Sequence, residues 1–141
     1  MDAVLADIDG WFQAHLFDPL ERSPDPAAAI RSMMAEVTRY FHSGQRVCLV
    51  GWVSLGASGD TFAPRVAGYF ARWIAALSAC LARGGVAAAP ARALAEETVG
   101  AIQGAIVLSR ALDDRAAFGR IVGRHEALLL QAVAVARAGP A

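Results

Sequence analysis

Two long apolar helical stretches, residues 98–112 and 115–137, are separated by only Asp113 and Asp114. So short a link holds its flanking helices antiparallel and side by side, which fixes one layer of the fold before anything else is known. One of the two aspartates, Asp113 or Asp114, caps the second helix. The rest of the chain repeats the pattern. Residues 2–17 place Val4, Leu5, Ile8, Trp11, Phe12, His15 and Leu16 at three- and four-residue steps, with Asp2 as N-cap, and the proline-rich "DPLERSPDP" ends the segment. A second helix opens at Asp25-Pro26, turns Ile30, Met33, Met34, Val37, Tyr40 and Phe41 inward, and stops at "HSGQ". A third, residues 60–83, carries Phe62, Val66, Phe70, Trp73, Ile74, Leu77 and Leu81 on one face and ends at "RGG". The fourth runs over residues 90–112. Between the second and third, "RVCLVGWVSLGASG" is rich in β-branched residues but has no partner strand, so a short helix over 46–55 is the expectation. With no repeat and no linker, the reading is one all-α domain over residues 1–141, five to six helices in an antiparallel bundle.

Composition removes several function classes. The chain is 56% hydrophobic and 18% charged, so it has enough apolar surface for a core and no disordered character. Its 13 basic residues, all arginine, balance 13 acidic ones, leaving no field to grip nucleic acid or an anionic membrane. The acidic N-terminus lacks the positive charge of a signal peptide, and the charge-free, nearly apolar run 98–109 is shorter than the ~20 residues a membrane span needs. A soluble cytoplasmic protein is expected. Cys48 and Cys80 form no disulfide framework, and His15, His42 and His125 show no metal-ligand spacing. There is no phosphate loop, no paired-carboxylate signature and no nucleophile beside a base, so neither an enzyme nor a cofactor is expected.

Glycine inside a helix costs ~1 kcal/mol against alanine, yet the last two helices hold a pair each at spacing four: Gly100 with Gly104, and Gly119 with Gly123. Counted from the Asp113 turn, Gly104 and Gly123 lie at similar height. Small residues so placed permit close backbone approach, within one chain or between two copies. Val99, Ile102, Ile106, Val107 and Leu108 circle most of the fourth helix, wider than one buried stripe requires. That breadth favours two copies: a homodimer whose two hairpins make a four-helix bundle, with Gly100, Gly104, Val107, Leu108, Gly119, Val122, Gly123 and Glu126 at the interface.

The large soft side chains sit apart from this face. After residue 75 the one aromatic is Phe118. An ordinary core accounts for most of the others. The company of Met33-Met34, His15, Cys48 and Gln103 also fits the lining of an apolar ligand cavity with a few placed polar groups. Gln103, on a buried helix, needs partners from backbone, a second chain or a ligand, or costs ~1–3 kcal/mol.

Taken in order, "RVCLVGWVSLGAS" (46–58), "VAGYFARWIAALSACLARG" (66–84) and "IQGAIVLSRALDDRAAFGRIV" (102–122) resemble the C-terminal effector-binding and dimerisation domain of tetracycline-repressor (TetR) family regulators. The resemblance rests on the ordered set, with no single diagnostic motif. It implies an effector pocket lined by Trp11, His15, Met33, Met34, Val37, Phe41, Cys48, Trp52, Phe70, Trp73 and Gln103, taking a small apolar or aromatic molecule. It implies dimerisation through the last two helices. Such regulators begin with a helix-turn-helix region, whose residues are not in this sequence; "MDAVLADIDGWFQAHL" resembles the continuation of the helix leaving it. This chain alone is therefore not expected to bind DNA, and a stand-alone helical dimerisation module is the alternative.

Overall fold

The computed structural model describes residues 10–41 and 63–139. The Asp2 cap, the short helix over 46–55, and Cys48 and Trp52 lie outside them. The described residues form helices and turns with no strand, as an all-α fold requires. A π-helical turn, Gln13–Phe17, leads into α1 (Asp18–Arg22), followed by α2 (Pro26–Phe41), α3 (Ala63–Arg83), α4 (Ala88–Ala111) and α5 (Arg115–Ala138).

The first segment does not end at Phe17. It stays helical to Arg22 despite Pro19, because the turn before the proline is wound wider: the Asp18 amide bonds the Gln13 carbonyl, five residues back. Proline then occupies the opening of α1, where its missing N–H is not needed. At α2, the Asp25 carboxylate accepts from the Ala28 amide at 3.2 Å, and Pro26 is the first helical residue. The end of α3 closes in a Schellman motif. Gly85 bonds Ala82, Val86 bonds Leu81, and Gly85 takes φ +99°, where a side chain would be strained.

The α4–α5 turn uses the same geometry without glycine. Asp113 bonds Arg110, Asp114 bonds Ser109, and Asp113 adopts φ 51°. Asp114 is the cap of α5, its carboxylate accepting from the Ala117 amide.

Contacts run from α3 to α4, α4 to α5, α5 to α2, and α2 back to α3, so the four long helices form a ring. The π-turn and α1 pack into the α2–α3 side of it. One core fills the interior, with Trp73, Phe17, Phe41, Phe118, Met33 and Leu77 fully buried. No described helix is long and apolar enough to cross a membrane.

Candidate functional site

The aromatic half of the molecule joins the first helical segment to α2 and α3. The Trp11 ring lies 4.1 Å from that of Tyr40 and stacks on His15 at 5.3 Å. Phe12 meets Trp73 edge-on at 5.7 Å and stacks on Tyr69 at 5.6 Å. His15 Nδ1 stands 3.2 Å from the Glu36 carboxylate. Arg72 bonds Glu21 at 2.9 Å and sits over the Phe17 ring at 4.6 Å. Phe12, which the helical spacing had placed on the apolar face, belongs to this junction, and so do Tyr69 and Arg72, which the sequence did not single out.

Of the residues expected to line a pocket, Met33, Met34, Val37, Phe41 and Trp73 are buried in the one core cluster. Trp11 and Phe70 are half-buried against it, and His15 is partly exposed. Met33 and Trp73 are in contact: the indole N–H donates to the Met33 thioether at 3.4 Å. That is a weak acceptor for a fully buried donor. Cys80, also buried, has its thiol pushed above the ordinary value by burial, which outweighs the opposing pull of Arg83; the Asp25 charge adds to the rise. It is a packing residue rather than a nucleophile.

On α4 the buried residues are Ala91, Ala95, Thr98, Val99, Ile102, Ala105, Ile106 and Ser109. The two hydroxyls among them are satisfied by backbone, Thr98 on the Leu94 carbonyl at 2.8 Å and Ser109 on that of Ile106 at 3.1 Å. Gln103 is different. Its Nε2 is shielded from solvent and has no hydrogen-bond partner among the described residues. Leu94 lines a groove of about 410 Å³ with Leu128, Ala132 and Val135 of α5. Gln103 is nine residues further on, about half a turn around at ~100° per residue, so it occupies the flank of α4 turned away from α5.

Gly100 and Gly104 fall roughly opposite the buried stripe of α4, and Val107 and Leu108 beside them are 55% and 46% exposed. A Cβ added at Gly100, Gly104, Gly119 or Gly123 would meet nothing within 4 Å. Gly123 lies nine residues before Ala132, hence about half a turn away from the groove shared with α4. The two glycine pairs therefore do not face each other, and the close approach within one chain that their spacing allowed is not made. Where the chain does approach itself is Gly84, whose added Cβ would stand 3.2 Å from both Val133 methyl groups. Val122, counted with the dimer residues, is buried in the chain's own core in register with Phe118 and Leu129. Glu126 is half-buried.

A second groove, of about 300 Å³, is formed by Pro24, Asp25, Pro26, Arg83, Gly84 and Arg137. Among the described residues no three His, Cys, Asp or Glu side chains gather as metal ligands would.

Residues 26–124, well over half of the chain, match a family model of TetR C-terminal domains, described as the C-terminal domain of LmrA/YxaF-like transcriptional regulators. No curated protein and no solved structure matches the chain.

Proposed function

The chain belongs to the family of TetR-type, LmrA/YxaF-like C-terminal domains and so is a regulatory domain of a transcriptional regulator; from that premise we propose that it dimerises and senses a small apolar or aromatic effector. The observation that carries the dimer is the outward face of α4. It holds two glycines with open space over them, flanked by the exposed side chains of Val107 and Leu108. Helix propensity disfavours glycine there and burial within the chain does not require it, whereas a second copy packed backbone-close accounts for both. Gly119, Gly123 and Glu126 of α5 extend the same interface around the hairpin.

The effector site lies among the aromatic and methionine side chains of α2 and α3, with Gln103 on α4 as a polar wall. Trp11 on Tyr40, His15 on Glu36, Phe12 on Trp73 and Arg72 on Glu21 tie the first helical segment to α2 and α3. A ligand that favours one spacing of α2 and α3 thereby favours one position of that segment. Such coupling requires different affinities for the two arrangements, and nothing more.

Native mass spectrometry of the chain at low micromolar concentration tests the dimer. The expected species has twice the chain mass, and a strictly monomeric spectrum would overturn the interface.

A further inference from the structure

Gln103 points to the chemistry of the effector, given the effector-sensing reading above. We propose that the effector is an uncharged apolar molecule bearing a carbonyl-type oxygen, and that this oxygen accepts a hydrogen bond from the Gln103 side-chain amide. Two observations lead there. The Nε2 group is removed from water and unpartnered, a condition that native interiors avoid because a lost partner costs the full desolvation of the donor. The buried polar residues among the described ones, Thr98 and Ser109, close on backbone carbonyls of their own helix. Gln103, half-buried as a residue, thus brings an unpartnered donor to this interior.

The neighbourhood sets the rest of the ligand. Counting from the Gly85 turn, Phe70 on α3 lies 15 residues back and Gln103 18 residues on. The two are level to about one helical turn at ~1.5 Å per residue. Phe70 is half-buried against the core. Trp73, one turn further along α3, holds its indole N–H on a thioether, a weak acceptor that a ligand oxygen outcompetes. Both groups offered are donors, and no charged side chain is buried in the described core. A cationic effector would find no counter-charge there, and an anion would be buried against neutral dipoles alone. A neutral acceptor on an aromatic or alicyclic body satisfies the donor at no such cost.

A matched pair of probes, 9-fluorenone and fluorene, differs by the one carbonyl. Titrating each into the full chain, followed by tryptophan fluorescence, gives the affinity ratio of ketone to hydrocarbon. In Gln103→Leu that ratio is expected to fall about ten-fold, within the range set by a buried hydrogen bond, and Gln103→Met, closer in shape, should match it. If both probes bind and the ratio is unchanged, the Gln103 assignment is overturned while the effector pocket stands. If neither binds the parent chain, the pocket reading falls and this inference with it. A ligand-free measurement adds an independent arm. Removing an unpartnered donor from an apolar wall should raise the melting temperature of Gln103→Leu by a few degrees. A lower melting temperature would mean the amide already has a partner, which would also overturn the proposal.

Discussion

Asp113 carries the sharpest local demand in the chain. It sits at the left-handed position that ends α4, with φ 51°, where a Cβ is disfavoured by ~1–2 kcal/mol and aspartate less than most. Asp113→Gly removes that strain while adding some unfolded-state freedom. The expected net gain is about 0.5–1 kcal/mol, read from chemical denaturation. Its neighbour Asp114 does separate work. Arg120 bonds its carboxylate at 2.9 Å and holds it below the ordinary carboxylate value, helped by the Ala117 and Ala116 amides. A carboxyl lowered on folding contributes stability above its unfolded value, ~3.9 for aspartate, and loses that contribution as pH falls through the lowered folded value. Asp114→Ala should therefore melt below the parent at pH 7, and the two melting curves should converge in strong acid.

Single elements explain where glycine matters. The i, i+4 pairs on α4 and α5 stand out in the sequence, but each has open space over it. The tight approaches over glycine are at the end of α3, where an added Cβ would stand 3.2 Å from Val133 at Gly84 and 3.3 Å from Ala136 at Gly85, both on α5. Sequence pattern marked Gly84 only as part of a helix stop. Gly84→Leu should lower stability by about 1–3 kcal/mol through overpacking, measured by urea unfolding, without the α4 face being touched. The first helical segment teaches a related lesson. Three prolines predicted an end at Phe17, and one widened turn carries the helix past Pro19 to Arg22. Proline forbids an α-helical bond, but it does not forbid a helix that has already dropped that bond. The helical starts at Asp25-Pro26 and Asp114 were legible because cap chemistry is local to a few residues.

For the molecule as a whole, the ring of α2, α3, α4 and α5 leaves α4 with one face in the core and the opposite one bare. Gly104→Leu places a bulky side chain on that bare face, so it should leave the fold intact yet weaken the dimer, seen as a shift toward monomer on dilution in native mass spectrometry. A variant as dimeric as the parent would mean the copies meet elsewhere. The gain expected from helix propensity makes the test sharper, since leucine favours α4 and an effect on assembly cannot be ascribed to a weakened helix.

By itself the sequence determined the four long helices of the described residues and the tight turn that sets α4 against α5. It also marked Met33, Met34, Val37, Phe41 and Trp73 as inward-facing, because periodicity and capping are encoded within a few residues of each position. Only the tertiary structure decided which surfaces those helices spend on one another. It turned the glycine pairs outward, gave the close approach to Gly84, drew Val122 into the core, and left the Gln103 amide without a partner. The reason is physical: which faces meet depends on the rotation of each helix against all its neighbours at once, and no stretch of chain carries that information alone.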